Sequence, residues 1–480
     1  MPLPAAEESI AGAESAGPPP GWVRAVDVIS IVSVGLALSV LLFGGFRVMV
    51  AGARLSVTDW WRPALWAVPL IVGRHWAYRD APLWRRLGRA FSRWWRSPDT
   101  RAVLPIHLAS RLGVLAVGFL AVVMIGFPNP QPPIRIYNNA FLDLPARWDA
   151  GWYLMVANEG YHWSADKPDT QQNIAFFPAF PLAVRYVSVF FGRQPLWTGV
   201  VISLVAFFWA LVYLLRLARE DLGDEERAVT AVVLLASYPF ALFFSAPYTE
   251  ALFLLAVVAA IYHFRRGELW AATGWGGLAG LTRPNGAFLS IVLGLIVLEM
   301  AWRAWRAGER FHWAEHLDRL AAAAAPGMGM LVYSTFILFL TGSPFQWAAQ
   351  NAAWGRTYRP LDTLVTDRVG YIAHHGLYGY AATQPLDLFY LASVVLTLAA
   401  VWPVFRRFGL AYAALLLVNL LPPMMAGGLL SIGRVTSTLF PTFLWLAAVL
   451  PARHRMPWAV AFAVLQGFAS VMFFTWRPLY

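Results

Sequence analysis

The sequence contains no cysteine among its 480 residues. Disulfide bonds, thiolate catalysis and cysteine-ligated metal sites are therefore excluded. Charged residues are also scarce, at 13% of the chain, whereas soluble domains carry about 25%. A chain with so few charges cannot cover its surface with polar groups, which argues against a soluble globular protein.

Hydrophobic residues make up 59% of the chain, which includes 24 Trp. This composition is typical of a protein whose solvent is largely lipid, because Trp suits the boundary between water and membrane. The net charge of +11 comes from Lys and Arg that lie mostly between the apolar runs. Such residues favour loops at an anionic inner leaflet, so the bilayer is the expected partner and nucleic acid is not.

The apolar runs predict an all-α, polytopic membrane protein with about 13 transmembrane helices, since a span needs roughly 20 apolar residues. Residues 1–26 read as a disordered cytoplasmic tail, 27–101 as an N-terminal membrane extension, and 102–480 as the catalytic membrane domain. The predicted spans lie near residues 27–48, 59–76, 103–127, 197–216, 228–246, 249–263, 268–282, 286–302, 319–341, 386–404, 409–426, 431–450 and 457–475.

The basic loops predict the orientation. Residues 84–101 alternate arginines with apolar residues at helical spacing, which indicates an amphipathic helix on the cytoplasmic surface, or else a partner-binding helix. Counting spans from there places the other basic loops inside. Two long loops, 128–196 and 342–385, then lie outside, and the first is expected to carry short amphipathic helices.

Several ionisable residues fall at the predicted outer ends of the spans. Such groups are costly at a membrane and usually functional. Asp149, within ARWDAGWY, is a candidate general base, although it also fits the N-cap of a helix that ends at Gly160. Glu159 at the end of that helix pairs with Arg147, binds a sugar hydroxyl or is simply solvated.

Arg283 and Arg434 break the positive-inside pattern, because both fall at outer ends. Arginine binds phosphate bidentately, so a lipid phosphate is one predicted partner. The alternative is an ion pair with Asp149 or with Glu250, whose own position at a helix start fits structure and function equally. The sequence LTRPNG around Arg283 also predicts a helix break that faces a cavity.

Motifs of nucleotide-dependent and serine-hydrolase chemistry are absent: there is no P-loop, no G-x-G-x-x-G after a strand and no G-x-S-x-G. His162, His374 and His375 lack the spacing of a metal site. We therefore expect neither a metal nor another cofactor. Without a nucleotide-binding domain, a sugar donor used outside would have to arrive linked to a lipid.

Six stretches in order resemble the PIG-V-type GPI mannosyltransferase II family and its bacterial relatives. They are RWDA followed by Glu-Gly-Tyr, AFFPAFPL, FSAPYTEALF, LTRPNG, the Gln–Trp–Gly–Arg stretch of 350–356, and SIGRVTSTLFP. This chain has Thr249, Pro284 and Val435 where the family pattern has Ser, Ser and Tyr.

The resemblance implies a GT-C fold, a polyprenyl-phosphate mannose donor and inversion at the anomeric carbon. It implies that Asp149, within RWDA, is the catalytic residue. We also expect a lipid or glycan acceptor and an active site at the extracytoplasmic face of the plasma (inner) membrane. Arg283 and Arg434 are expected to bind the donor phosphate. The residues expected to line the substrate site are Arg147, Trp148, Glu159, Tyr248, Glu250, Asn285, Gln350 and Trp354.

Two other functions fit a polytopic membrane protein. A lipid-linked saccharide flippase would need charges near mid-membrane and a path built from repeats. A non-catalytic assembly subunit would have no need for carboxylates and arginines on one face. Because the charges gather at one face beside a long loop, the sequence favours an enzyme.

Overall fold

The computed structural model describes residues 20–50, 53–79, 82–129 and 132–479. Most of the predicted tail lies outside these residues, but its predicted end at residue 26 is too late, because the first helix begins at Gly21. The described chain forms two units. The first holds the residues up to Ser97 together with Val187–Gln194, and the second holds Pro98–Tyr186 and the residues from Pro195 onward.

The first unit contains helices α1 (Gly21–Phe43), α2 (Trp61–Ala77) and α3 (Leu83–Arg96). Between α1 and α2 lies a hairpin of two antiparallel strands, β1 (Phe46–Val50) and β2 (Ala53–Val57). The sequence did not predict this hairpin, since its residues continue the first apolar run. Asp27 in α1 is buried and pairs with Arg74 of α2 at 2.8 Å and with Arg86 of α3. The predicted amphipathic helix is confirmed as α3, none of whose residues is buried.

The second unit is built from helices joined by turns and loops. Its helices, in chain order, are α4 (Pro98–Met124), α5 (Ala150–Glu159), α6 (Ala179–Val187), α7 (Pro195–Leu222), α8 (Glu225–Ser237), α9 (Glu250–Arg265), α10 (Leu269–Thr282), α11 (Leu289–Arg306), α12 (Leu317–Thr341), α13 (Gln346–Ala349), α14 (Leu361–Thr383), α15 (Pro385–Phe408), α16 (Leu410–Gly427), α17 (Ile432–Ser437), α18 (Pro441–Val449) and α19 (Ala452–Phe474).

The chain is an integral, multi-pass membrane protein of all-α class. Among the described residues, 8 helical segments are long and apolar enough to cross a membrane, or 9 if a bent pair forms one span. Their exposed side chains are largely apolar, as on α4, where Leu112, Leu120 and Val123 face outward. Such a surface suits lipid contact.

The predicted count of about 13 spans is not confirmed, because several apolar runs are short or broken. Helix α9 has 16 residues and α10 has 14, fewer than the roughly 20 that cross a bilayer unaided. Helix α8 bends by 78° into the 3₁₀ segment Pro239–Ser245. The run near 431–450 divides into the short helices α17 and α18.

These breaks carry the predicted functional residues. Tyr248 and Glu250 follow the bent pair, Arg283 follows α10 just before the 3₁₀ segment Pro284–Phe288, and Arg434 lies in α17. The predicted break at LTRPNG is confirmed by this 3₁₀ segment. Proline contributes to two of the breaks, since Pro239 and Pro284 lack the N–H that would continue a helix.

Glycines allow α10 and α12 to approach closely. A Cβ atom placed on Gly280 would lie 1.9 Å from the carbonyl oxygen of Pro326, and one on Gly329 would lie 2.3 Å from the carbonyl oxygen of Gly277. Because the obstacles are backbone atoms, no side-chain movement relieves the clash. By contrast, a Cβ atom on Gly274 of the same helix α10 would meet nothing within 4 Å.

We expect Gly280→Ala to destabilise the protein and Gly274→Ala not to. Overpacking costs about 1–3 kcal/mol, whereas Gly→Ala at an open helix position gains up to about 1 kcal/mol. Thermal unfolding of both variants in detergent compares them directly. Equal melting temperatures would contradict the close packing of α10 against α12.

Candidate active site

Four charged side chains from distant parts of the chain form a chain of ion pairs in the second unit. Nη1 of Arg434 donates to Oδ2 of Asp149 at 2.6 Å, and Nε of Arg434 donates to Oε1 of Glu250 at 2.8 Å. Nη1 of Arg283 donates to the same Oε1 at 2.8 Å. All four residues were predicted to lie on one face, and the structure brings them into direct contact.

Burial is graded along this cluster. The side chain of Glu250 is 0% exposed and that of Arg434 8%, whereas Arg283 is 18% and Asp149 25% exposed. Glu250 is therefore the buried centre, and Asp149 is the carboxylate that faces outward. An acceptor molecule would reach Asp149 and would not reach Glu250.

Asp149 is presented by a strained turn. Trp148 has φ of 50°, a left-handed conformation that is costly for a bulky residue and that clusters at functional sites. Its ring packs on Trp476 at 4.9 Å between centroids. Asp149 precedes α5, but its side chain makes no capping hydrogen bond. The interpretation of Asp149 as a purely structural N-cap is therefore wrong, because its carboxylate binds Arg434 instead.

Arg434 is presented in a similar way. Ser431, which precedes α17, also has a left-handed backbone, with φ of 58°. Helix α17 is buried throughout, and a Cβ atom on Gly433 would lie 2.4 Å from the ring of Phe240. The small residue lets α17 lie directly on the 3₁₀ segment Pro239–Ser245, so that Arg434 points toward Glu250.

Tyr248 contacts both Asp149 and Arg434. Its hydroxyl donates to the carbonyl of Arg147 and accepts from the N–H of Asp149, both at 3.0 Å. The guanidinium of Arg434 lies 4.7 Å from the centre of its ring, a cation–π arrangement. Tyr248 thereby fixes the backbone of Asp149 and the side chain of Arg434 together.

The contacts of Arg147 give it a structural role. Its side chain is buried and donates to the carbonyls of Phe474 at 2.6 Å, Asp143 at 2.7 Å and Ala146 at 2.9 Å. Burial lowers the pKa of Arg147 to about 10, although the nearby Asp143 and Tyr248 act in the opposite sense. These bonds tie the turn before Asp149 to the end of α19.

Glu159 and Asn285 have partners outside the four charged residues of the cluster. Glu159 is exposed and has His162 as its ion-pair neighbour at 3.9 Å. The predicted alternative of an Arg147–Glu159 pair is wrong, because Arg147 is buried against backbone carbonyls. Gly160 ends α5 with φ of 93°, as predicted. Asn285 donates from Nδ2 to Oδ1 of Asn419 at 2.9 Å, which joins the 3₁₀ segment after α10 to α16.

The second long loop contacts the first through Gln350 and Trp354. Nε2 of Gln350 donates to the carbonyl of Thr170. The ring of Trp354 packs edge-on against Trp152 at 4.9 Å and Phe176 at 5.3 Å. Trp354 therefore lies beside α5, the helix that Asp149 precedes, and Gln350 binds the loop that follows α5.

Three buried polar atoms near these contacts lack a hydrogen-bond partner among the described residues. They are Oε2 of Glu250, Oε1 of Gln350 and Nε1 of Trp354. Buried polar atoms are rarely left unsatisfied in folded proteins. Glu250 belongs to the ion-pair cluster with Asp149, and Trp354 contacts α5, which is consistent with a polar substrate as the missing partner.

Metal binding is not favoured by the groups present. Within the described ranges no three His, Cys, Asp or Glu residues are grouped as metal ligands. The two carboxylates of the cluster already bind guanidinium groups, and the two arginines would repel a cation. That the site works without a metal or other cofactor stays a prediction.

Part of the chain is similar to a known protein family. Residues 129–305 match the family described as Mannosyltransferase (PIG-V). The resemblance to the PIG-V mannosyltransferases is confirmed. The matched segment carries Asp149, Glu250 and Arg283, while Gln350, Trp354 and Arg434 lie beyond it.

Among curated relatives of the PIG-V type, the GPI alpha-1,6-mannosyltransferase 2 of Homo sapiens is 26% identical over 40% of this chain and 42% of its own. The protein of the same name from Cricetulus griseus is 32% identical, with the same shares, and that from Mus musculus is 30% identical over 29% of each chain. The chain thus spans less than half the length of these curated relatives.

Two solved structures are similar at low identity. One is the oligosaccharyltransferase of Archaeoglobus fulgidus, at 15% identity and a TM-score of 0.41, over 75% of this chain and 53% of that one. The other is ArnT from Cupriavidus metallidurans bound to undecaprenyl phosphate, at 13% identity and a TM-score of 0.41, over 78% of this chain and 76% of that one.

Sequence reasoning missed three residues of the site. Tyr153, one turn into α5, places its hydroxyl 3.3 Å from that of Thr249. Asn419 binds Asn285, as described above. Arg356 lies in the second loop, and its charge acts on Asp149 and Arg434. The signal that drew attention to Arg283 and Arg434, an arginine on the outer side, applies equally to Arg356.

We expect the Glu250→Ala variant to unfold at a markedly lower temperature than the wild type. Removing one partner of a buried ion pair costs about 3–5 kcal/mol, and here two arginines lose their shared acceptor. Glu309→Ala is the matched control, because Glu309 is exposed. Thermal unfolding in detergent tests the pair; a Glu250→Ala variant that melts with the control would show that Glu250 is not the centre of the cluster.

Proposed function

We propose that the protein is a GT-C-type glycosyltransferase that transfers a sugar from a polyprenyl-phosphate donor to an acceptor hydroxyl with inversion. The observation that carries the proposal is the outward-facing carboxylate of Asp149 held by Arg434 within a buried cluster. The family match supports glycosyl transfer, and mannose as the sugar.

Asp149 is the proposed general base. One carboxylate oxygen, Oδ2, is bound by Arg434, which fixes the orientation of the other. As the acceptor hydroxyl attacks the anomeric carbon, its proton passes to Asp149. The bond from that carbon to the phosphate oxygen breaks on the opposite face, and the phosphate leaves with the electron pair. Inversion at the carbon follows from this in-line geometry.

The departing phosphate needs positive charge nearby, and arginines supply it without a metal. Arg283 uses one guanidinium nitrogen for Glu250 and has an 18% exposed side chain, so it can also face a phosphate. The unsatisfied atoms of Gln350 and Trp354 are candidate contacts for the sugar or the acceptor. The acceptor is a lipid or glycan hydroxyl.

An extracytoplasmic active site is supported by the distribution of charge along α9. Glu250 begins this helix in the ion-pair cluster. At its far end, Arg265 binds Asp221 at 2.7 Å and the hydroxyl of Tyr412 at 3.0 Å, within a region of basic loops. Because basic loops face the cytoplasm, the Asp149 end of the bundle faces outward, in an inner or plasma membrane.

We expect Asp149→Asn to lower sugar transfer by about 100- to 10,000-fold, the contribution typical of a general base. The assay measures transfer of labelled mannose from polyprenyl-phosphate mannose to a membrane lipid extract by the purified protein. Asp166→Asn is the matched control, because Asp166 is exposed in the same loop and should retain full activity.

Two results would contradict the proposal. Full transfer by Asp149→Asn would show that Asp149 is not the general base, without contradicting the proposed enzyme class. Absence of transfer by the wild type, together with movement of labelled lipid-linked saccharide across proteoliposome membranes, would indicate a flippase instead.

A further inference from the structure

Arg356 differs from Arg283 and Arg434 because no carboxylate among the described residues pairs with it. It follows Gly355 in the second long loop and is half-buried. Within the part of the chain that the structure describes, Arg283 and Arg434 both bind Glu250, whereas Arg356 forms no ion pair and its guanidinium donates no hydrogen bond. A half-buried arginine without an anion is unusual, since its charge is costly to remove from water.

The position of Arg356 is set by the end of helix α16. The N–H of Arg359 donates to the carbonyl of Met425 at 2.7 Å, which docks the loop on that helix end. A Cβ atom on Gly427 would lie 3.3 Å from Cγ and 3.6 Å from Nη1 of Arg356. The absence of a side chain at Gly427 therefore leaves room for the guanidinium just before the turn that leads to Arg434.

The charges of the ion-pair cluster act on Arg356, which the end of α16 positions before the turn to Arg434. Burial lowers the pKa of Arg356, the positive charges of Arg434 and Arg283 lower it further, and Asp149 raises it. With Arg356 included, three guanidinium groups accompany the two carboxylates of Asp149 and Glu250. The site therefore has an uncompensated positive charge, and it is carried by Arg356.

We propose that Arg356 binds the phosphate of the lipid-linked donor, whereas Arg434 is a positioning residue that holds Asp149. This inference rests on the proposed function. The sequence predicted that Arg283 and Arg434 together bind the donor phosphate. The inference instead gives phosphate binding to Arg356 and the positioning of Asp149 to Arg434. A phosphate monoester or diester supplies the anion that Arg356 lacks, and a guanidinium recognises it through paired N–H donors.

The division of roles follows from what each arginine would lose. Arg434 already uses Nε for Glu250 and Nη1 for Asp149, so turning its guanidinium to a phosphate would break its pair with a completely buried carboxylate. Breaking such a pair is expensive. Arg356 loses nothing when it turns to a phosphate, and the net positive charge of the site is neutralised by the ligand.

Binding of undecaprenyl phosphate to the purified protein tests this inference separately from catalysis. We expect Arg356→Gln to weaken binding and to raise the KM for the donor about ten- to a hundred-fold, the range for loss of a charged hydrogen bond, with little change in melting temperature. Arg356→Lys should lose less, because lysine keeps the charge without the bidentate geometry. Arg359→Gln is the matched control, exposed three residues away.

Inorganic phosphate and phosphatidylglycerol vesicles distinguish the sources of the anion. Each is added as a competitor to labelled undecaprenyl phosphate bound to the protein. Displacement by unlabelled undecaprenyl phosphate alone supports a donor site, whereas equal displacement by inorganic phosphate or by the vesicles would overturn it. Wild-type transfer with unchanged donor KM in Arg356→Gln would overturn the inference and leave the proposed function standing. A lowered melting temperature with unchanged KM would assign Arg356 to the end of α16. Absence of both binding and transfer in the wild type would remove the proposed function itself.

Discussion

The completely buried carboxylate of Glu250 is the constraint on which the rest of the site depends. A charge in that position is stable only with partners of opposite sign, and it has two, in Arg283 and Arg434. Those arginines come from two different breaks in the helices, so the carboxylate holds together segments that apolar packing alone would leave free to shift. Asp149 is held in turn, because Arg434 binds it with a second nitrogen.

Broken helices explain why this arrangement is possible in a membrane protein. A continuous apolar span would place its ends at the water boundary and leave no polar backbone inside the bundle. Here α8, α10 and α17 each end or bend near the cluster, and the freed backbone lies against protein. The left-handed residues Trp148 and Ser431 contribute in the same way, since each turns the chain directly before a segment that carries a charged residue of the site.

Sequence reasoning placed Asp149, Glu250, Arg283 and Arg434 on one face because ionisable residues next to apolar runs are rare and conspicuous. It left open whether the arginines pair with the carboxylates, because pairing depends on how helices cross and not on spacing along the chain. The all-α class followed from composition, but the helix count did not, since a 14- or 16-residue helix between breaks resembles a span in hydropathy. Arg356 ends one of the six stretches of the resemblance but received no role, because the function of a loop arginine depends on spatial neighbours that the sequence does not show.

The ion pairs also have a consequence for the order of synthesis. Arg434 follows Glu250 by 184 positions and Asp149 by 285 positions. Arg147 binds the carbonyl of Phe474, which follows it by 327 positions. The ribosome therefore delivers both carboxylates to the membrane long before the arginine that binds them together. Until that arginine emerges, Arg283 is the partner of Glu250 that has been made, and the carboxylate of Asp149 has not yet met its own. The site is among the last features of the molecule to form, so chains that stop before α17 would enter the membrane without it.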